Sequence, residues 1–526
     1  MTSIFYNGKF YTQNLTQPIC QAIVVSDGII KATGTNDEIL STENRTSKKY
    51  NLNGAVVLPG FTDSHIHLLQ YAMNLMKVDC ETASKKECLD RVKNAVKGKK
   101  NGEWVLGHGW NHHYWSEGIG DVSELDAIAP ENPVFLTNKS LHGVWVNSYA
   151  LRLAGISHET TDPEGGVIGK KEDGTLNGLL YEYAVNLVEK FIPEQSMNEN
   201  TRAILTAQDQ LFTYGITSVH DFDRIVAFRA LQYLDSDHQL KLRVQKSIPY
   251  EHLDAAIQAG LQTGFGSDHL KIGSVKLFMD GALGTQTAAM LEPYENSSET
   301  GMLLLSQDDL MQIAITAASG GIPLAIHAIG DLANHVVADT LYSLSTMENK
   351  FLAKNLHHRV EHVQCIQPQD LLLLKRAGAI ASMQPIHLCS DIPATTRNWG
   401  ARSSNTYIFQ SVLDKQIPLI FGSDAPVELP DCITGIHAAV NRQQRDFQPL
   451  NGWYPEEKIT VEQAITAFTA TPQWVAGNSD KLGKISPGYL CDLTVLNQDV
   501  YSIPTEQIQQ TKILGTIVDG KWVYQA

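Results

Sequence analysis

The sequence predicts an α/β fold, a (β/α)8 TIM-like barrel with a small β-sandwich domain built from both chain ends. Three observations predict it. Both ends of the 526-residue chain alternate apolar and polar residues with period 2, and the middle repeats an amphipathic helix followed by a short apolar strand. Several of those strands end on residues that bind metals. Two chain ends share one sheet only if the stretch between them returns to its start, as a closed barrel does.

Residues 1–56 supply the first part of the sandwich. SIFYNGKFYT and AIVVSDGIIKATG are short alternating runs separated by turn residues. The barrel follows over residues 57–480, opening with VVLPGFTDSHIHL. An insertion at about 81–200 is rich in Trp, His and Gly (GEWVLGHGWNHHYW) and in turn signals (TTDPEGGVIGKKEDGT), so it reads as a less regular segment that covers one end of the barrel. Beyond it, in SQDDLMQIAITAASGGIPLAIHAIGD, Leu310, Ile313, Ala314 and Ala317 recur at helical spacing. Gly320 and Gly321 stop that helix, and PLAIH follows as a buried strand. QPQDLLLLKRAGAIASMQP and SVLDKQIPLIFGSD repeat the pattern. Periodicity alone also accommodates an open doubly wound sheet; the number of units over this length favours the barrel. Residues 481–526 complete the sandwich with GYLCDLTVLNQD and ILGTIVDGKWVYQA.

A chain this long and 43% hydrophobic buries a sizeable core. The net charge of -16 without clustered Lys and Arg argues against nucleic acid and anionic membrane as partners. Seven scattered cysteines with no CxxC pair indicate neither a disulfide framework nor a thiolate zinc site, and suit a reducing compartment. No apolar leader and no run of about 18 apolar residues is present, so the expected location is cytoplasmic. A small-molecule substrate and a homodimer are the expected partners.

The sharpest local signal is LPGFTDSHIHL, where His65 and His67 flank Ile66 at a strand end and project to one side. Three further strands end alike: His327 closes PLAIH, His362 closes RVEHV, and Asp424 closes PLIFGSD. In a (β/α)8 barrel the C-terminal strand ends converge on one face. Imidazoles and a carboxylate suit zinc, and these donors exceed the need of one tetrahedral ion with an open position. A second ion needs a bridging anion. Lys276 in SVKLFMDGALGTQTAA becomes one if CO2 carboxylates it to a carbamate; otherwise it is a salt-bridged barrel lysine.

This set resembles the binuclear branch of the amidohydrolase superfamily. VKLFMDGALGTQTAA, AIHAIGD, RVEHVQ and FGSDAPV are similar to the amidohydrolase 3 group, which includes YtcJ-like proteins and N-substituted formamide deformylases, and the likeness covers nearly the whole chain. The resemblance implies two divalent ions, zinc first among the candidates. It places His65 and His67 with Asp424 on the more buried ion, His327 and His362 on the other, and a carboxylated Lys276 between them. A water shared by ions about 3.5–4 Å apart loses its proton near neutral pH. Asp424 then serves as catalytic base toward the metal-bound hydroxide and as acid toward the leaving amine. His142 falls where relatives often hold the substrate carbonyl, although Ser140 and Leu141 before it depart from the commoner Asp and Gly.

Trp110 and Trp115 either line a substrate pocket or pack the insertion. Asp280 either contacts substrate or shapes its turn. His220 and Asp221, which end another strand, either support the ligands from behind or are hydrogen-bonded barrel residues; the second reading is favoured, and they are left out of the site. The predicted function is a metal-dependent amidohydrolase cleaving a non-peptide, amide-like C–N bond of a small molecule, for example an N-substituted formamide. Hydrolysis of a cyclic amide or deamination uses the same site, and a catalytically silent metal-binding scaffold or regulator is the alternative of another class.

Overall fold

In the computed structural model, which describes residues 2–41, 47–112, 115–139, 143–347, 353 and 355–526, the eight expected barrel strands are all present. They are β1 (Phe61–Ile66), β2 (Ile216–Asp221), β3 (Arg243–Pro249), β4 (Leu270–Phe278), β5 (Leu324–Ala328), β6 (Arg359–His362), β7 (Ile380–Met383) and β8 (Leu419–Phe421). Each pairs in parallel with the next. Their residues are buried almost throughout, because helices cover the outside and side chains fill the inside, which is why they read as continuous apolar runs.

The predicted helices fall where the periodicity put them. Helix Gln307–Ser319 buries Leu310, Ile313, Ala314 and Ala317, starts on a Ser306 hydroxyl that accepts the Asp309 amide, and stops at Gly320. Asp370–Ala377 leads into β7 and Phe409–Asp414 into β8. Closure runs from the end of β8 to the end of β1: the Asp424 amide donates to the His65 carbonyl at 2.6 Å, and the His67 amide to that of Ala425 at 2.9 Å. Gly422 permits this approach. A Cβ there would lie 2.4 Å from the His65 nitrogen.

Strands from both chain ends do share a sheet. Leu493–Leu496 pairs antiparallel with Val56–Pro59, giving a six-stranded sheet that also holds Lys9–Tyr11, Ile19–Cys20, Ile513–Val518 and Lys521–Gln525. A four-stranded sheet of Thr2–Tyr6, Ala22–Ser26, Ile29–Gly34 and Lys48–Asn51 packs on it through Phe5, Phe10, Ile23, Val57, Leu493 and Ile517. Arg243 at the start of β3 joins barrel and sandwich, its guanidinium pairing with Asp492 at 2.6 Å and Asp519 at 2.5 Å.

By compactness the chain divides into Met1–Tyr71 with Ile204–Ala526, and Ala72–Ala203. The second unit is more regular than its sequence suggests. It holds a six-stranded mixed sheet with an apolar cluster around Trp110, Trp115 and Trp145 and another around Phe135, Val144 and Leu180. Its strands escape pattern reading because glycines interrupt them. Gly107 is one, and a Cβ on it would meet the Leu136 side chain at 2.6 Å. Among the described residues no helix is long and apolar enough to cross a membrane, and all seven cysteines are buried and unpaired.

Candidate metal centre

Parallel strands deliver their C-terminal residues to one face, and here that face collects nitrogen and oxygen donors. β1 brings His65 and, just past its end, His67; the turn after β8 brings Asp424. Asp424 Oδ1 lies 3.4 Å from Nε2 of both histidines, and one donor atom from each residue falls within 4.8 Å of the others. Both Asp424, at φ +57°, and His362, at φ +72°, occupy the left-handed region that non-glycine residues avoid. Such backbone persists where the surroundings over-determine it.

Each imidazole has its far nitrogen next to an acceptor. His65 Nδ1 donates to Glu361 Oε2 at 2.7 Å, and His362 Nδ1 to Gln384 Oε1 at 2.9 Å. His327 turns the other way, with Nε2 donating to the Gly281 carbonyl at 3.0 Å. His67 Nδ1 stands 3.5 Å from Asp223 Oδ1, the outer limit of a hydrogen bond. The rings of His65 and His362 have centroids 5.0 Å apart, and those of His362 and His327 4.5 Å. β1, β5, β6 and β8 therefore bring all four histidines and Asp424 into one cluster.

Burial sets the charge state of this cluster. It pushes His65 down to about 4 and His327 down to about 3, with the Lys276 cation adding to both. His362 lies well below its usual value for the same first reason, its neighbours His327 and His65 reinforcing it. These three are neutral imidazoles with a lone pair to give at physiological pH. Burial pulls His67 down too, but Asp223 and Asp424 outweigh it and raise it to about 9. Burial opposes the charge on Asp424, yet the surrounding imidazoles, His65 first, hold it well below the carboxylate range.

Lys276 near the end of β4 is buried, and its amine finds no hydrogen-bond partner among the described residues. It lies 4.8 Å from the Phe222 ring centre and 4.9 Å from that of Phe278. Burial lowers it to about 8, against the pull of Glu361. A cavity of about 400 Å³ opens beside it, walled by His67, Phe222, Phe278, Tyr250, Leu304 and Leu305. A larger hollow, about 660 Å³, sits beside the opposite end of β8 and holds none of these donors.

Residues 48–524 match the amidohydrolase family. The chain belongs to it. Putative amidohydrolase YtcJ of Bacillus subtilis is 30% identical over the full length of both chains, and protein LONG AFTER FAR-RED 3 of Arabidopsis thaliana is 30% identical over 98% of this chain and 91% of its own. The N-substituted formamide deformylase of Arthrobacter pascens is 26% identical over 99% and 97%. An uncharacterized metal-dependent hydrolase from Pyrococcus horikoshii, solved as a crystal structure, superposes with a TM-score of 0.78 at 27% identity, covering 96% of this chain and 99% of that one. This amidohydrolase is accordingly a hydrolase with a candidate metal triad of His65, His67 and Asp424.

The other described residues singled out in the amidohydrolase's sequence have partners of their own, and Asp280 Oδ1 also stands 3.6 Å from His327 Nε2. Trp110 is 1% exposed, donates its indole N–H to the Leu136 carbonyl at 2.8 Å, and packs with Trp115 and Trp145 inside its own unit. Asp280 is buried and accepts backbone amides from Ala289, Ile329 and Gly330 at 2.8–3.0 Å, so its carboxylate holds loops together. His142 lies outside the described residues. His220 contacts Arg359 Nη1 at 2.8 Å, and Asp221 pairs with Lys246 at 2.9 Å. Sequence reading missed Glu361, Arg359, Gln384 and Asp223. RVEHV did carry a signal, since two charges at alternate positions of a buried strand require partners.

Proposed function

We propose that this amidohydrolase cleaves a non-peptide C–N bond of a small-molecule amide, with an N-substituted formamide as the leading class, at a centre of two zinc ions. The observation that carries the reading is the convergence of His65, His67 and Asp424 donor atoms within 4.8 Å on a face that also holds His327, His362 and Lys276. The donors fit the group: His65, His327 and His362 are neutral imidazoles, His67 becomes one by giving up its proton to a bound cation, and with a carboxylate these are borderline-ion ligands. A buried amine without an acceptor is costly as an ammonium, and its lowered basicity suits reaction with CO2. His65, His67 and Asp424 would hold one ion and His327 and His362 the other, with a Lys276 carbamate bridging. Ions bound there supply Lewis acidity toward water and toward the amide carbonyl.

The protein's own groups do the rest. Asp424 takes a proton from the attacking water and passes it to the departing nitrogen, a transfer suited to a carboxylate facing both β1 histidines. Phe222, Phe278, Leu304 and Leu305 exclude solvent from an apolar substituent in the cavity, and support from the formamide deformylase relative keeps formamides first. The free cysteines and the charge of -16 support a cytoplasmic, small-molecule role. Elemental analysis of protein grown with zinc and bicarbonate is the test. About two ions per wild-type chain, falling to one or none in Lys276→Ala, supports the bridged centre; equal content in both makes Lys276 structural. Products then separate the chemistries: acid plus amine from a linear amide, a ring-opened acid from a cyclic one, ammonia from deamination.

A further inference from the structure

Behind the metal-side imidazoles lies a buried ionic layer that the hydrolysis itself does not use. Arg359 and Glu361 rise from β6 into the barrel, 3% and 0% exposed. Arg359 Nε and Nη2 both donate to the Glu361 carboxylate, the second at 3.0 Å. Nη2 also donates to the Ser64 carbonyl on β1 at 2.6 Å and meets the Ser382 hydroxyl on β7 at 2.7 Å, while Nη1 faces His220 on β2. One guanidinium therefore ties Glu361 on β6 to three other strands, and Glu361 Oε2 accepts the His65 Nδ1 proton at 2.7 Å.

The other imidazoles are backed differently. Gln384, the acceptor for His362, is uncharged; His327 Nε2 meets the Gly281 carbonyl at 3.0 Å with Asp280 Oδ1 farther off at 3.6 Å, and Asp223 stands 3.5 Å from His67. Among the four, only His65 makes a short hydrogen bond to a carboxylate. An anionic acceptor on the far nitrogen fixes the tautomer and ring angle of a ligating histidine and makes its other nitrogen a stronger donor. We propose that Glu361, held by Arg359, is a positioning residue that makes His65 the anchor ligand, so that the first ion loads on the His65, His67 and Asp424 side. This rests on the metal-centre reading above.

The test is a Zn2+ competition titration of chelator-stripped protein against a chromophoric chelator, for wild type and Glu361→Gln, with urea midpoints measured in parallel. Affinity for the first equivalent should fall about 10–100-fold while the second changes less. Because Glu361→Gln strands a buried guanidinium and threatens folding, the double variant Arg359→Met with Glu361→Gln, which leaves no unpaired charge, is titrated beside it and should lose the same affinity. A purely structural ion pair would move the urea midpoint alone; first-equivalent affinity within about twofold of wild type in either folded variant overturns the proposal. Wild-type protein that binds no Zn2+ sinks the metal-centre reading, and the proposal with it.

Discussion

At the scale of single residues, the same atom set makes Asp424 both a candidate ligand and the proton carrier. Its φ of +57° is one that Asn tolerates as well as Asp, so Asp424→Asn should fold and pack like wild type. It lacks the basicity to take a proton from water. Turnover of a hydrolysable amide should drop about 10²–10⁴-fold, measured as kcat with metal content checked in the same sample; full turnover would remove Asp424 from the chemistry. His65, His67, His327, His362 and Asp424 were legible because each ends an apolar strand, where a barrel exposes side chains to its active face. Glu361 was not. Its partner His65 lies 296 residues away in sequence, and no local spacing reveals a hydrogen bond made across the barrel. Trp110 shows the opposite failure, since an aromatic-rich stretch reads equally as pocket or as core, and burial decided for packing.

Among the elements, the junction of β8 with β1 is where fold and site depend on each other. Gly422 lies against the His65 nitrogen and Asp63 Oδ1, which a Cβ would approach to 2.4 and 2.9 Å. Asp63 is itself committed there, accepting the Ser423 amide at 3.0 Å and its hydroxyl at 2.5 Å. Neither neighbour is a flexible tip, so Gly422→Ala must push the strands apart. A loss of about 1–3 kcal/mol in urea unfolding is expected, together with reduced zinc retention after dialysis, because His65 and Asp424 sit on the two sides of the junction. Unchanged zinc retention in a destabilised variant would separate closure from ligand geometry. The barrel strands were legible as elements because both their faces are buried and the runs are apolar throughout. Those of Ala72–Ala203 were not, since glycines admitted close strand contacts where the pattern expected apolar side chains.

On the scale of the whole molecule, the barrel and the sandwich are joined through a few charged groups whose effect on stability has a definite pH signature. Arg243 is 5% exposed and donates to Asp492 and Asp519, and His269 Nε2 lies 3.1 Å from Asp519 Oδ2. Burial opposes the charge on Asp519, but the His269 hydrogen bond and the Arg243 cation outweigh it and hold the carboxyl well below its ordinary range. An acid whose folded-state pKa is depressed adds stability above its unfolded value, near 4, and loses it as the pH falls through the folded value. Asp519→Asn should therefore lower the urea midpoint at pH 7 by the equivalent of about 1 kcal/mol, the low end for a charged hydrogen bond because Asp519 is a third exposed. The gap between variant and wild type should hold to about pH 5 and narrow below about pH 4. A gap that stays constant down to pH 3 would mean that Asp519 serves as a neutral hydrogen-bond acceptor, leaving the pairing of Arg243 with Asp492, where the chain's last strands meet the start of β3, as the buried charged link between barrel and sandwich, beside the more exposed Lys481–Asp268 pair.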